Sequence, residues 1–313
     1  MQVTHGTIQR GGGPLALTIG NFDGVHLGHR AMLARLVGKA RELKLRSCVL
    51  TFEPHPREFF APHAAPTRLT RLREKLELIA EAGVERVHVL RFDARLAALA
   101  AERFIDVVLA ERLGTRWLLV GRDFRFGTKR AGDYAMLESA ATRIGFRIEA
   151  MPDVTHEGER VSSSAVRSAL AAGDLAGAAR LLGRAYRMSG RVAHGEKLGR
   201  ALGFPTANIV LRRRPPLAGI FAVQAELEEA HSAFSGPMRG VASVGRRPTV
   251  RENAPPLLEI HLFDFDGDLY GRHLRVRFLE KLRDEEKFDG LDALRSAIRQ
   301  DVGRARDYFE RNG

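Results

Sequence analysis

Residues 15–29 read Leu15-Ala16-Leu17-Thr18-Ile19 and then Gly20-Asn21-Phe22-Asp23-Gly24-Val25-His26-Leu27-Gly28-His29, and residues 30–37 continue as RAMLARLV. LALTI is a short apolar run of strand length, whereas the apolar positions after His29 recur at helical spacing. The order is therefore strand, Gly-rich turn and helix start, a context in which backbone N–H groups converge on an anion. His26 and His29, three apart, share one side of the first helical turn. A phosphate held there meets two imidazoles and a helix N-terminus together. An H-x-x-H pair also suits a metal or simple packing, and the residues alone leave these readings open. Neither G-x-G-x-x-G nor G-x-x-x-x-G-K-[ST] occurs in this stretch, so neither standard dinucleotide nor Walker chemistry is indicated.

Outward from this turn, strand-like and helix-like segments alternate as far as about Leu182. Strands are predicted at 47–52, 84–91, 116–120 and 146–151, and helices at 71–82, 102–113 and 134–144. That rhythm predicts a parallel sheet with helices on both faces, whose ligands bind beyond the carboxyl ends of the strands. Three loops there are unusual in composition. Thr51-Phe52-Glu53-Pro54-His55-Pro56 fixes its backbone with two prolines and presents Glu53 and His55. Val120-Gly121-Arg122-Asp123-Phe124-Arg125-Phe126-Gly127 sets aromatics beside arginines, a pattern suited to stacking a flat ring and holding its phosphate. Ser162, Ser163 and Ser164 precede Arg167 at a helix start, where they serve as caps or as phosphate donors.

Near Gly183, a suitable helix C-cap, the rhythm changes. Short β-type segments at 187–193, 218–227, 238–244, 258–265 and 273–279 predict a small antiparallel barrel, closed by a helix over 289–310. The fold class is thus α/β followed by β, with domains 1–183 and 184–313. The second part carries its own string, with Gly195, Gly199 and Gly203 ahead of Pro205, Thr206 and Asn208. The glycines let backbone close over phosphates, and Thr206 and Asn208 offer hard oxygens suited to Mg²⁺ with a nucleotide. A plain Gly/Pro turn has the same composition.

The chain has 313 residues, enough for each domain to bury its own core, with ordinary hydrophobic (44%) and charged (28%) content. The formal charge of +12 draws anions in general. Basic residues are spread among 38 acids, including the RRRPP turn at 212–216, and aromatic content is only 7%, which disfavours base-stacking platforms. The single cysteine, Cys48, lies in an apolar run and reads as an inert packing residue. The opening residues lack a charged region followed by an apolar one, and no stretch of about 18 apolar residues occurs, so a cytoplasmic location is expected.

H-x-G-H is the signature of the nucleotidylyltransferase superfamily, and the fuller string GNFDGVHLGH resembles the bacterial bifunctional riboflavin kinase/FAD synthetase family. TFEPHP, VGRDFRFG and SSSAVR are similar to further motifs of its adenylyltransferase half. GRALGFPTAN, Leu258-Glu259-Ile260-His261, FDFDGDLYG (263–271) and LRDEEKFD (282–289) are similar to its kinase half, so the resemblance spans nearly the whole chain in the family's order. Departures are small: Ser164 stands for threonine, Val166 for isoleucine, and Gly219-Ile220-Phe221-Ala222-Val223 for GVYAV.

The resemblance implies a Rossmann-like nucleotidylyltransferase domain that turns FMN into FAD, and a β-barrel that phosphorylates riboflavin to FMN, both with ATP and Mg²⁺. It implies that His26 and His29 are catalytic, with Gly20, Asn21, Phe22, Asp23, Gly24, Ser162, Ser163, Ser164 and Arg167 on the ATP phosphates. His55, Asp123, Phe124 and Phe126 are then expected on the flavin. In the kinase it implies Glu259 as general base, a nucleotide loop at Gly195, Gly199, Gly203 and Pro205, and metal ligation by Thr206 and Asn208. Arg283, Glu286 and Phe288 are expected on the kinase flavin. Partners are then riboflavin, FMN and ATP, with apo-flavoproteins downstream and neither nucleic acid nor membrane. Two rivals are another H-x-G-H adenylyltransferase with an unrelated barrel, and a basic RNA-binding protein. The Thr206–Asn208 string argues against the first, and the lack of aromatics interleaved with cations on the strands against the second.

Overall fold

The computed structural model describes residues 1–6, 13–195, 198–228, 236–245 and 255–312. The chain divides into two compact units, Met1–Pro66 with Thr70–Ser162, and Thr67–Leu69 with Ser163–Gly313.

The first unit is built on six parallel strands: β1 (Gln2–His5), β2 (Leu15–Ile19), β3 (Arg46–Glu53), β4 (Arg86–Arg91), β5 (Thr115–Gly121) and β6 (Arg147–Met151). Their order is β1-β4-β3-β2-β5-β6. All five residues of β2 are buried, as a central parallel strand covered on both faces requires. Its alternation sorts Leu15, Leu17 and Ile19 into one apolar cluster and Ala16 into the other. Leu33 and Leu36 of helix Leu27–Glu42 and Leu78 and Ile79 of helix Leu72–Glu81 fill the Ala16 side. Phe104, Ile105 and Leu109, with Leu137 of helix Tyr134–Ile144, fill the other. The 102–113 helix is wound more widely after Arg103, with Leu113 N–H donating to Val108 O. The succession runs outward from β2 through β3 to β4 and returns to β5 on the opposite flank, which makes the β2 end a topological switch point.

Two features carry no apolar signal in the sequence. β1, QVTH, is recruited by parallel pairing to β4, where His88 bonds to Thr4 Oγ1 (2.6 Å) and Gly6 O (3.1 Å). The ribbon β7 (Thr155–His156) and β8 (Glu159–Arg160) closes on Glu157 (φ 50°) and Gly158 (φ 82°), both left-handed as a tight two-residue turn demands. Cys48 is buried and its thiol is pushed up to about 12 by that burial.

The second unit opens with helices Ser163–Ala172 and Leu175–Leu182, the latter closed by Gly183 at φ 68°. Six antiparallel strands follow: β9 (Arg187–Arg191), β10 (Ala207–Val210), β11 (Gly219–Leu227), β12 (Met238–Gly245), β13 (Leu257–Leu262) and β14 (His273–Arg283). The order β10-β13-β12-β11-β14-β9 nearly closes into a barrel, because Ala193 N–H donates to Asn208 O (2.8 Å) across the remaining gap. β13 stops earlier than the apolar run at 258–265 predicts, since Asp264 turns the chain at φ 54°. β14 runs past residue 279 to Arg283. Helix Leu291–Asn312 packs Ala305 and Phe309 against Ile220, Ala222 and Val241 of the barrel. No helix among the described residues is long and apolar enough to cross a membrane.

Candidate active sites

β2, β3 and β5 are neighbours and parallel, so the loops after them leave the same edge of the sheet. Those loops are GNFDGVH, PHP and RDFRFG. The first is shaped from within. Phe22 and Val25 drop into the core although their φ values are 49° and 41°. Buried Asp23 accepts from Thr70 N–H (3.0 Å) and the Thr70 hydroxyl (3.2 Å), and Gly24 N–H donates to Thr70 Oγ1 (3.0 Å). The side chains of Phe22 and Asp23 therefore hold the turn in shape.

His26 caps helix Leu27–Glu42, its Nδ1 accepting from His29 N–H at 3.3 Å. The two imidazoles stack with centroids 3.7 Å apart, and Phe22 lies 5.0 Å from His29. Gly28 fits tightly beside them. A Cβ there would stand 3.2 Å from the His26 ring and 3.6 Å from Val161 O, so the chain leading into Ser162 passes beside the histidine turn. Burial, the neighbouring His26 and the buried Lys75 ammonium hold His29 well below the ordinary imidazole value. A neutral His29 can donate to an anion without carrying charge. Its Nδ1 and Asn21 Oδ1 are buried with no hydrogen-bond partner among the described residues. Among the described residues no group of three His, Cys, Asp or Glu is arranged for a metal.

His55 caps the short helix Pro56–Phe60 and accepts from Arg57 N–H (3.1 Å). Phe59 and Phe60, partly and largely exposed, pack edge-on against Phe92 and form an aromatic surface that no motif announced. In the third loop Phe124 and Phe126 stack at 5.5 Å. Phe126 belongs to the core, packed so tightly that a Cβ on Gly132 would stand 2.6 Å from its ring, so of the two only half-buried Phe124 keeps an accessible face. Exposed Asp123 pairs with Arg160 at 3.3 Å. Ser162 ends the first unit, whereas Ser163, Ser164 and Arg167 begin the helix that opens the second; there Arg167 Nε donates to Thr67 O (2.6 Å).

The barrel site rests on register. Glu259 on β13 lies directly opposite Asn208 on β10 and Ser243 on β12, while Leu258 and Ile260 point into the core. The row Asn208–Glu259–Ser243 thus crosses three strands on the outer face. Glu259 lines a cavity of about 300 Å³ with Thr206, Ser243, Arg283, Glu285, Glu286 and Phe288. A second cavity of about 620 Å³ is lined by Arg200, Pro205, Thr206, Asp266 and Tyr270. Thr206 belongs to both. A Cβ on Gly195 would press on the Asn208 side-chain amide, and Gly199 is needed because a Cβ there would overlap the backbone oxygen of Phe204. Gly203 takes φ 90° at the turn into Phe204. Pro205 O accepts from His261 Nδ1 (2.9 Å), which ties the loop to β13.

Glu285 was not distinguished from its neighbour Glu286 by sequence reasoning. Its carboxylate lies over Gly245, where no Cβ would fit, and bonds to Ser243. Burial, then the charge of Glu259, raises it above the usual carboxylate range. Thr70 and Lys75 were missed as well, since isolated polar residues before and within an amphipathic helix carry no distinctive pattern.

Comparison with known proteins matches residues 10–165 to the FAD synthetase family model and residues 182–309 to the riboflavin kinase model. The bifunctional riboflavin kinase/FMN adenylyltransferase of Pseudomonas fluorescens is 51% identical over 92% of this chain and 91% of its own length. The Escherichia coli K12 protein of the same name is 48% identical over 94% and 92%. A solved Streptococcus pneumoniae structure described as a macrolide-efflux protein superposes with a TM-score of 0.79 at 26% identity, covering 98% of this chain and 99% of that one.

Proposed function

The chain belongs to the bifunctional riboflavin kinase/FMN adenylyltransferase family, and from that premise we propose which of its residues perform each of the two ATP-dependent steps. The enzyme phosphorylates riboflavin to FMN and adenylylates FMN to FAD with release of pyrophosphate. Adenylyl transfer is assigned to residues 1–183 and the kinase to 184–313, a reading supported by where the two family models fall. The cytoplasm is the proposed compartment.

In adenylyl transfer an FMN phosphate oxygen attacks the α-phosphorus of ATP and pyrophosphate leaves. The nucleophile is already anionic, so the protein's task is to position it and to stabilise charge. The N–H groups at the start of helix Leu27–Glu42, together with His26 and neutral His29, donate to the phosphates. Ser162, Ser163, Ser164 and Arg167 are proposed as further phosphate ligands, and His55, Asp123 and Phe124, with the Phe59/Phe60 surface, as the flavin side.

In the kinase step the nucleophile is a neutral ribityl hydroxyl, which a base in hydrogen-bond reach activates. Glu259 is that base. The larger cavity takes ATP, the smaller one riboflavin beside Arg283, Glu286 and Phe288, and Thr206 stands where the two meet. Mg²⁺ fits the donor set, because Asn208 Oδ1 is buried with no hydrogen-bond partner among the described residues and Thr206 adds a hydroxyl oxygen. Bound with ATP, it would neutralise phosphate charge as transfer proceeds.

The observation that carries the kinase assignment is the row Asn208–Glu259–Ser243, which sets a cavity-wall carboxylate in register with a buried amide. Incubation of the protein with riboflavin, ATP and Mg²⁺, resolving FMN and FAD by chromatography, tests the reading. Formation of both supports it, and formation of neither refutes it.

A further inference from the structure

Helix Leu291–Asn312 turns one face inward: Leu294 and Ile298 line the smaller cavity, and Ala305 and Phe309 are buried against the barrel. Asp301 interrupts that apolar stripe. It is only 4% exposed and grips Arg283 in two parallel bonds, Nε to Oδ1 at 2.9 Å and Nη2 to Oδ2 at 2.7 Å. Arg283 Nη1 donates to Asp284 O (2.9 Å), and the guanidinium lies 5.5 Å from the Phe288 ring centre. Gly219, at φ 125°, lets the chain pass close: a Cβ there would stand 2.7 Å from Arg283 O.

A buried ion pair is a poor device for stability. Its desolvation cost offsets its attraction, and apolar replacement of both partners is often neutral or better. An apolar residue at 301 would also complete the helix's own stripe. What the carboxylate supplies is orientation, because a guanidinium held by a fork-to-fork pair cannot rotate out of its plane. Arg283, so held over the Phe288 ring, lines with it the cavity that contains Glu259.

We propose that Asp301 is a positioning residue of the kinase: it locks Arg283 against Phe288 so that the flavin ring meets a preformed planar surface. This rests on the assignment of riboflavin to that cavity. Asp301 touches no reacting atom and acts on flavin binding through Arg283.

The test uses the full chain with Asp301→Asn, Asp301→Glu and the paired change Arg283→Met with Asp301→Leu. Riboflavin KM, ATP KM, kcat, thermal unfolding and FMN adenylylation are measured on each. For Asp301→Asn, riboflavin KM should rise by roughly 10-fold, the scale of having to immobilise a freed rotamer-rich side chain on binding, with ATP KM and kcat within a few-fold. Asp301→Glu should recover part of that loss. The paired variant should melt at or above the parent temperature and adenylylate FMN normally, yet lack the parent's riboflavin affinity.

A riboflavin KM within two-fold of the parent in Asp301→Asn overturns the proposal. So does a paired variant with near-parent KM, or a common loss of both activities and thermal stability that Asp301→Glu does not recover. Phe288→Ala separates this from failure of the cavity assignment itself. If that change leaves riboflavin KM at the parent value, the cavity is wrong; if it raises riboflavin KM while Asp301→Asn is silent, only the role of Asp301 is wrong.

Discussion

Glu259→Gln tests the kinase mechanism at its most exposed point, because an isolated strand glutamate is ordinarily only a solvated side chain. Glutamine keeps the size and most of the packing between Asn208 and Ser243 but cannot accept the hydroxyl proton. Loss of acid–base help predicts a fall in kcat of about 10²–10⁴. At 1.36 kcal/mol per factor of ten, that is a barrier raised by roughly 2.7–5.4 kcal/mol. The structure adds a second consequence. Part of what raises the Glu285 carboxyl is the charge of Glu259, so removing that charge lets Glu285 fall toward the ordinary carboxylate range. Glu285 shares the cavity and becomes the available substitute base, so the residual rate of Glu259→Gln should be carried by Glu285 and vanish when Glu285→Gln is added. Riboflavin phosphorylation and FMN adenylylation are measured side by side, with binding of riboflavin and ATP to each variant. Binding and adenylylation should stay at the parent level. A phosphorylation rate within a few-fold of the parent refutes the base role and leaves positioning by Thr206, Asn208 and the metal as the mechanism.

Three further outcomes are expected. His29→Ala should slow FAD formation by about two orders of magnitude, the scale of one lost charge-stabilising donor, while riboflavin phosphorylation stays near the parent rate; equal loss of both would point to folding instead. His29 also sets a pH dependence. Its folded value lies well below the ordinary imidazole value of about 6.5, so the unfolded chain takes up a proton first as pH falls. The stability linked to neutral His29 is therefore present above about pH 6.5 and lost below it, toward the lower folded value. Unfolding free energies of the parent and His29→Gln should diverge in that window, and parallel curves would contradict it. Finally, helix Leu175–Leu182 buries Leu175, Leu181 and Leu182 and contacts β14 within the second unit. A fragment of residues 163–313 should accordingly melt higher and phosphorylate riboflavin better than one of 184–313, and equal melting would show that the helix pair does not support the barrel.

Much of this protein is legible in its chain. LALTI followed by GNFDGVHLGH specifies a central strand, a phosphate-type turn and a helix start, because a strand buried on both faces must be uniformly apolar and a tight anion turn needs its glycines. The switch from helix–strand alternation to short strands after Gly183 likewise marks a parallel sheet followed by an antiparallel barrel. Local pattern could not supply partners. QVTH becomes a strand only because β4 offers it an edge, and ANIV only because β13 does. Phe22 and Phe126 look like site residues in their motifs, yet tertiary packing takes their rings into the core and leaves Phe124, Phe59 and Phe60 accessible. Thr70, Glu285 and Asp301 are silent in sequence because their roles come from what lies opposite them: Asp23 and Gly24, Ser243 and Glu259, and Arg283. Residue type and spacing determine which groups a segment carries and which way its faces turn. Only strand order, register and burial decide which distant groups meet, since those contacts join residues that no local period relates.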